Sequence, residues 1–204
     1  MRFDFEGKQY LVDNAPVFIN DAPKFAWRGM LMDTSRHWEP VAGLKQLIDS
    51  LAAAKLNAVH WHIVDLQSFP MEVRSYPKLQ DGAYSPFERY SREDMQEVVA
   101  YGEARGVRVY IETDVPGHAA AWGVGYPELW PSPTCQMPLN VANNFTFELI
   151  DGMIKEIATE VMLPSEEFYH VSAWRPFGIQ TNPVHALSRL PFHFPFSVAS
   201  MYHF

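Results

Sequence analysis

The sequence is poor in cysteine, in basic residues and in long apolar runs. Its single cysteine, Cys135, excludes an internal disulfide framework and a zinc site made of four cysteines. Lys and Arg number 16 against 24 Asp and Glu, and the net charge of -8 repels phosphate backbones and anionic lipid, so we expect neither nucleic acid nor membrane as a partner. No window approaches the roughly 20 apolar residues of a membrane span. Acidic residues interrupt the apolar positions of residues 1–25, so we expect no signal peptide.

The composition favours a folded domain. Hydrophobic residues make up 48% of the sequence and aromatic residues 14%, which is enough to bury a substantial core. Disorder, collagen-like repeats and coiled coils are therefore excluded. A chain of 204 residues corresponds to one domain or to part of a larger one.

Apolar strands and amphipathic helices alternate along the middle of the chain. Ser91, followed three residues later by Asp94, predicts the start of a helix, and Gly106 predicts its end. The predicted strands are 27–33, 58–64, 107–111 and one that begins near Phe168. The predicted helices are 40–55, 92–105 and 145–161. This succession of βα units predicts an α/β fold with parallel strands and crossover helices.

The two ends of the chain differ from this middle part. Residues 1–26 predict one or two short strands at the end of a preceding module. Residues 171–204 contain no Asp, Glu or Lys, although residues 1–170 hold all 24 acids, and we expect this tail to be disordered or irregular. Two interpretations of the tail stay open. It is either an ordinary surface extension or the product of a changed reading frame or translated intron, because codons for Val171-Ser172 can form a splice donor.

Charged residues and histidines follow the ends of three consecutive predicted strands. Because the carboxyl ends of parallel strands meet at one edge of a sheet, we expect these side chains to form one polar rim. Arg36 is suited to vicinal hydroxyls or a carboxylate, or to an ion pair with Asp33 or Glu39. Asp65 and His118 are suited to a carboxylate–imidazole relay, or to hydrogen bonds within loops. The other members of the rim are His37, His60, His62, Glu112 and Asp114.

Two further interpretations concern metal ions and sugar rings. His60 and His62 lie on one strand face, at the spacing that a metal-dependent barrel hydrolase uses for two ligands. Neutral histidines at a barrel rim also serve as hydrogen-bonding supports, and we favour that interpretation over a metal site. A set of aromatic residues is suited either to stacking on sugars or to a hydrophobic core. Its members are Trp61, Trp122, Tyr126 and Trp130.

Four separated motifs together resemble the β-N-acetylhexosaminidases, the glycoside hydrolase family that includes lysosomal hexosaminidases and chitobiases. The motifs are residues 28–37, 57–70, 105–118 and 122–123. The resemblance implies a (β/α)8 TIM barrel, of which residues 25–170 form about the first four βα units. By the same resemblance, residues 1–24 are the remnant of a preceding small α/β domain, and residues 171–204 form a tail outside the family pattern.

The resemblance also implies a reaction. It is the removal of terminal non-reducing N-acetylglucosamine or N-acetylgalactosamine from glycans, which are the expected partners. Such enzymes retain configuration by substrate assistance: the acetamido carbonyl oxygen attacks the anomeric carbon, one carboxylate orients the acetamido group, and a neighbouring Glu protonates the leaving oxygen. We therefore expect no cofactor and no metal, and the resemblance implies a lysosomal or extracellular protein.

Individual residues take expected roles from this resemblance. Arg36 matches the arginine that holds the sugar hydroxyls. Asp65, Asp114 and His118 match the polar network that supports the catalytic acid, with His62 beside them. Leu66 stands where the family usually has a second Asp.

A larger departure bears on activity. The family follows its fourth strand with Gly-Gly-Asp-Glu, whereas residues 171–174 read Val-Ser-Ala-Trp. The acetamido-orienting Asp and the proton-donor Glu are absent there, so no catalytic residue is retained and we expect the chain to be inactive alone. Cys135 supports a truncation, because its counterpart in animal enzymes pairs with a cysteine just after that Asp-Glu.

Three functional hypotheses result. The leading one is a fragmentary β-N-acetylhexosaminidase, and the second is a non-catalytic remnant that binds amino sugars through Arg36. The third is a metal-dependent barrel hydrolase that uses His60 and His62. Half of a barrel has open strand edges, so pairing of two copies is a further option.

Overall fold

A two-stranded antiparallel hairpin precedes a five-stranded parallel sheet with helices between its strands. The computed structural model describes residues 1–13, 15–164, 168–172 and 197–199. The strands are β1 Arg2–Asp4, β2 Gln9–Leu11, β3 Gly29–Asp33, β4 Ala58–His62, β5 Arg108–Asp114, β6 Phe168–Ser172 and β7 Ser197–Ala199. The α-helices are α1 Val41–Ala53, α2 Arg92–Glu103, α3 Trp122–Gly125 and α4 Asn144–Glu160. Two short 3-10 helices, Pro77–Gly82 and Pro127–Leu129, complete the description.

The parallel sheet has the order β3-β4-β5-β6-β7, so each strand pairs with the next along the chain. The predicted α/β fold with parallel strands is confirmed, and its helices lie close to their predicted positions. Strand β5 extends beyond the predicted 107–111, because Glu112, Thr113 and Asp114 pair with His170, Val171 and Ser172 of β6. This extension places two carboxylates inside the sheet rather than in a loop.

Alternation along the central strands separates an apolar face from a polar face. The apolar residues belong to the same core cluster as the inner faces of α1 and α2; in β4 and β5 they are Val59, Trp61, Val109 and Ile111. The residues between them point to the opposite face; they are His60, His62, Tyr110 and Glu112. Because β4 and β5 are in parallel register, His62 lies opposite Glu112 and His60 lies opposite Tyr110.

Local signals fix the helices that cover the sheet. In α1, Leu44, Ile48 and Leu51 are buried, as their helical spacing predicts. The side chain of Ser91 accepts a hydrogen bond from the backbone of Asp94, whose carboxylate accepts one from the backbone of Ser91, so the predicted capping box is present. Gly106 follows α2 with φ of 68°, a left-handed conformation that glycine adopts without strain.

The two ends are described only in part. Strands β1 and β2 form an exposed hairpin within residues 1–24. At the other end, Val171 and Ser172 continue β6, and Ser197–Ala199 forms β7, which pairs in parallel with β6. The prediction of a disordered or irregular tail otherwise falls on residues 173–196 and 200–204, which lie outside the described residues. Among the helices that are described, none is long and apolar enough to cross a membrane.

Candidate active site

Arg36 lies in the loop after β3 and is held there by two carboxylates. Asp33, the last residue of β3, accepts hydrogen bonds through Oδ1 from the backbone amides of Ser35 and Arg36, each at 3.0 Å. Its other oxygen lies 2.5 Å from Arg36 Nη1, and Asp65 Oδ2 lies 2.8 Å from Arg36 Nη2. The guanidinium is therefore fixed in position, yet its side chain is 38% exposed. An anchored but accessible cation is suited to binding an oxygen-rich ligand.

Asp65 is the centre of the network. It follows β4, its side chain is only 1% exposed, and it accepts hydrogen bonds from several directions. Besides Arg36, its donors are His62 Nε2 at 2.7 Å, the amide of Leu66 at 2.6 Å and His118 Nδ1 at 3.1 Å. Burial acts to raise the pKa of Asp65, but the hydrogen bonds outweigh it and hold the pKa below its usual value. Asp65 is thus a buried carboxylate that stays ionised.

His62 connects Asp65 to a second buried carboxylate. Its Nδ1 lies 2.6 Å from Glu112 Oε2, while its Nε2 lies 2.7 Å from Asp65 Oδ2. Burial acts to lower the pKa of His62, but the hydrogen bonds to Asp65 and Glu112 outweigh it and raise the pKa to about 10. The ring is therefore an imidazolium that donates from both nitrogens.

Asp114 and His118 complete the cluster at the end of β5. His118 Nδ1 lies 3.6 Å from Asp114 Oδ2, as expected for residues that meet across the bend at Pro116 and Gly117. His118 itself has φ of 53°, which turns its ring back towards Asp65. Burial raises the pKa of Asp114 to about 6, and the negative charges of Glu112 and Asp65 add to this effect. Asp114 therefore changes its charge in mildly acidic solution.

The structure brings together all five residues that the resemblance singles out: Arg36, His62, Asp65, Asp114 and His118. Sequence reasoning placed Glu112 at the same rim but gave it no role. The signal was available, because Glu112 is two residues before Asp114 on the same strand and so shares its face. A parallel register that sets Glu112 opposite His62 was not readable from either strand alone.

The aromatic residues occupy other places. Trp61 and Trp122 are fully buried, which makes them core residues and excludes them from stacking on a sugar. Trp130 donates through its indole nitrogen to the carbonyl of Ala120, and Tyr126 packs against Tyr76 and Phe145. A surface cavity of about 380 Å³ lies at the opposite, amino-terminal ends of the strands, away from Arg36.

Metal ligation by the pair His60 and His62 is disfavoured. Both ring nitrogens of His62 hydrogen-bond to carboxylates, so neither offers a lone pair to a metal ion. Asp65, Asp114 and His118 also bring potential ligand atoms within 4.8 Å of one another. The oxygens of Asp65, however, already accept hydrogen bonds from His62, Arg36 and His118.

The chain belongs to glycosyl hydrolase family 20, because residues 25–173 match the catalytic domain of that family. It is 50% identical over 167 residues to Beta-hexosaminidase 1 of Arabidopsis thaliana, a match that covers 82% of this chain and 30% of that protein. It is 45% identical over 148 residues to Beta-hexosaminidase subunit A1 of Dictyostelium discoideum, covering 70% of this chain and 28% of that protein. Both relatives are named beta-hexosaminidases.

Solved structures agree with this assignment. The GH20 beta-N-acetylhexosaminidase from Streptomyces coelicolor A3(2) superposes with a TM-score of 0.68 at 30% identity, covering 74% of this chain and 33% of that one. A mutant Streptomyces plicatus beta-hexosaminidase, in complex with its product GlcNAc, has a TM-score of 0.68 at 29% identity and covers the same shares. The chain thus spans about a third of the length of the proteins it matches.

Proposed function

We propose that this chain carries the first part of a β-N-acetylhexosaminidase catalytic domain, and that Arg36 binds the hydroxyls of a terminal N-acetylhexosamine. The observation that carries this proposal is the fixed position of Arg36 between Asp33 and Asp65, with the Arg36 side chain 38% exposed. A sugar hydroxyl accepts hydrogen bonds from guanidinium N–H groups, and a preorganised donor loses little entropy on binding. The relatives' names, and the GlcNAc bound to one solved neighbour, support this substrate class.

The remaining residues of the cluster act through Arg36 in this proposal. Asp65 accepts from Arg36, and His62 and His118 in turn donate to Asp65. This network holds Asp65 ionised and so keeps Arg36 at the rim. Asp65, Asp114, His118 and His62 are therefore proposed as the supporting network rather than as groups that transfer a proton to the sugar.

Hydrolysis is proposed to need two carboxyl groups that this chain does not supply at residues 171–174, where β6 ends. In the substrate-assisted reaction the enzyme contributes one carboxylate for the acetamido group and one carboxylic acid for the leaving oxygen. Residues 171–174 are Val-Ser-Ala-Trp in place of the family's Gly-Gly-Asp-Glu. Loss of a general acid costs about 10²- to 10⁴-fold in rate. We propose that the chain alone binds the sugar without hydrolysing it.

The domain organisation is part of the same proposal. Residues 25–170 supply about the first four βα units of a barrel, and residues 1–24 are a remnant of a preceding α/β domain. The partners are glycans that end in N-acetylglucosamine or N-acetylgalactosamine. Pairing of two copies through β3, which is an edge strand of the sheet in the described residues, would be seen as a doubled mass in sedimentation.

Binding of N-acetylglucosamine to the purified chain tests the role of Arg36. Ligand-detected NMR titration should show saturable binding, weakened about 10- to 150-fold by Arg36→Ala, because a charged hydrogen bond is worth about 1.5–3 kcal/mol. Arg74→Ala is the matched control, since Arg74 is an exposed arginine paired with Glu72 and Glu93 on the helix side. Equal binding by the wild type and Arg36→Ala would overturn the proposal.

A further inference from the structure

A second polar cluster lies beside the Arg36 network, on the same face of the sheet. It consists of His60 on β4, Glu112 on β5 and His170 on β6, one residue from each of three adjacent strands. Glu112 and His170 are directly paired across β5 and β6. The exposed fractions are 9% for His60, 2% for Glu112 and 4% for His170, so three ligand-type side chains converge in a buried place.

The distances within this cluster are short. His60 Nε2 lies 2.6 Å from Glu112 Oε2, and His170 Nε2 lies 3.7 Å from Glu112 Oε1. One ligand atom from each residue lies within 4.8 Å of the other two. In the part of the chain that is described, no group meets His60 Nε2 in hydrogen-bonding geometry, although the atom is buried. The close approach to Glu112 is therefore not an aligned hydrogen bond.

The rings are held so that their nitrogens face the carboxylate. His60 stacks on Tyr110 with ring centroids 4.8 Å apart and an interplanar angle of 24°. His170 lies against His60 at a centroid distance of 4.5 Å and an angle of 31°. Packing on Tyr110 thus limits rotation of both imidazoles, which reduces the entropy that a ligand must overcome when it binds between them.

We propose that His60, Glu112 and His170 form a binding site for one divalent transition-metal ion, with Zn²⁺ as the best match. Two imidazoles and one carboxylate form a three-residue protein ligand set that leaves a fourth position for water. Imidazole ligands favour zinc and its neighbours over Mg²⁺ or Ca²⁺, which prefer oxygen ligands. The ion would lie between one ligand atom from each of these three buried side chains.

The geometry needs only a small adjustment to hold the ion. Zn–N distances of about 2.0–2.1 Å in a tetrahedral site place ligand atoms about 3.3 Å apart. The ligand atoms of His60, Glu112 and His170 already lie within 4.8 Å, so side-chain rotations that move them by about 1 Å complete the site. His62 stays outside this ligand set, because both of its nitrogens are directed to carboxylate oxygens. Since His62 is bonded to Oε2 of Glu112, the proposed ligand atom of Glu112 is Oε1, which faces His170.

Metal content measured on the whole chain tests this site without any assay of activity. The chain is stripped with a chelator, equilibrated with Zn²⁺, freed of excess ion and analysed by mass spectrometry. We expect one zinc ion per chain, and we expect His60→Gln and His170→Gln to bind it at least about tenfold more weakly. His37→Gln is the control, since His37 is an exposed histidine in the loop after β3. Equal zinc content in all four proteins, or no zinc in the wild type, overturns the proposal.

A second measurement needs no variant and so does not depend on the folding of one. Ring-nitrogen NMR of the wild-type chain should show that Zn²⁺ shifts the signals of His60 and His170, while the signals of His37 stay in place. Unchanged signals of His60 and His170 at saturating Zn²⁺ overturn the site. Substitution of Co²⁺ for Zn²⁺ gives a visible absorption spectrum that reports the coordination geometry.

Discussion

Arg36 and Asp65 form an ion pair with one exposed partner and one buried partner. Their nearest atoms, Nη2 and Oδ2, are 2.8 Å apart; the side chain of Arg36 is 38% exposed and that of Asp65 is 1% exposed. Removal of the arginine takes one charged hydrogen-bond donor from this buried carboxylate, which also accepts hydrogen bonds from His62 and His118. The pair therefore contributes to stability and, in the proposed function, also holds Arg36 for a ligand.

Replacement of Arg36 should lower the free energy of unfolding. Arg36→Met removes a charged donor from Asp65, and a hydrogen bond of this kind is worth about 1.5–3 kcal/mol. Urea denaturation at neutral pH measures the loss. Arg74→Met should change stability by less than about 1 kcal/mol, because its ion pairs are exposed. Similar losses in both variants would contradict the view that burial of Asp65 makes the difference.

The charge of His62 should persist far above neutral pH. Its pKa is raised to about 10 by Asp65 and Glu112 against the effect of burial, so its stabilising effect is complete below the unfolded pKa of about 6.5. That effect is lost as the pH rises through about 10. Nitrogen NMR of the ring should show both nitrogens protonated at pH 8, and Glu112→Gln should lower the pKa of His62. The variant Glu103→Gln, at an exposed position at the end of α2, should leave it unchanged, and a neutral His62 at pH 8 in the wild type would contradict the prediction.

Asp114 should make stability fall between weakly acidic and neutral pH. Its pKa is raised from 3.8 to about 6, chiefly by burial, so its contribution is present below the unfolded pKa and lost as the pH rises through about 6. A difference of this size amounts to up to about 3 kcal/mol. Asp114→Asn should remove this decline from the pH dependence of unfolding. The free energy of unfolding of the wild type minus that of Asp114→Asn should therefore fall between pH 4 and 7. A difference that stays constant or rises over this range would contradict the prediction.

Two glycines should respond in opposite ways to alanine. A Cβ on Gly82 would overlap the backbone carbonyl of Ala121, so Gly82→Ala should destabilise the chain by about 1–3 kcal/mol. Gly43 lies in α1, where the nearest atom to an added Cβ is the flexible carboxylate end of Glu39, and Gly43→Ala should stabilise by up to about 1 kcal/mol. Thermal unfolding of both variants checks the pair. Equal melting temperatures would contradict the close packing of the Pro77–Gly82 helix against Ala121.

Much of the fold could be predicted because its signals are local. The capping box at Ser91, the glycine at residue 106 and the helical spacing in α1 each lie within a few residues. The position of the polar rim, at the carboxyl ends of the strands, could be predicted once the strands were taken to be parallel. Local patterns therefore sufficed for element type and for the location of the site.

The rest depended on contacts between strands. Glu112 joins His62, and through it Asp65, only because β4 and β5 pair in a register that neither segment encodes alone. Likewise, an indole ring such as that of Trp61 is suited to stacking on a sugar. Side chains alternate between the two faces of β4, however, and Trp61 lies on the face that packs in the core beneath the helices. Strand β7 lay outside every predicted element, since proline-rich surroundings gave no periodic pattern to detect.

Hydrolysis of a chromogenic β-N-acetylglucosaminide tests whether this chain needs the missing carboxyl groups of a family 20 enzyme to be active. The 204-residue chain is compared with a chimaera in which the residues from 171 onward are replaced by the corresponding part of a family 20 enzyme, and with Arg36→Ala in that chimaera. We expect activity in the chimaera, its loss on Arg36→Ala, and no release of chromophore by the chain itself. Hydrolysis by the 204-residue chain at the rate of the chimaera would contradict it, because a carboxylic acid among the residues of this chain would then supply the proton.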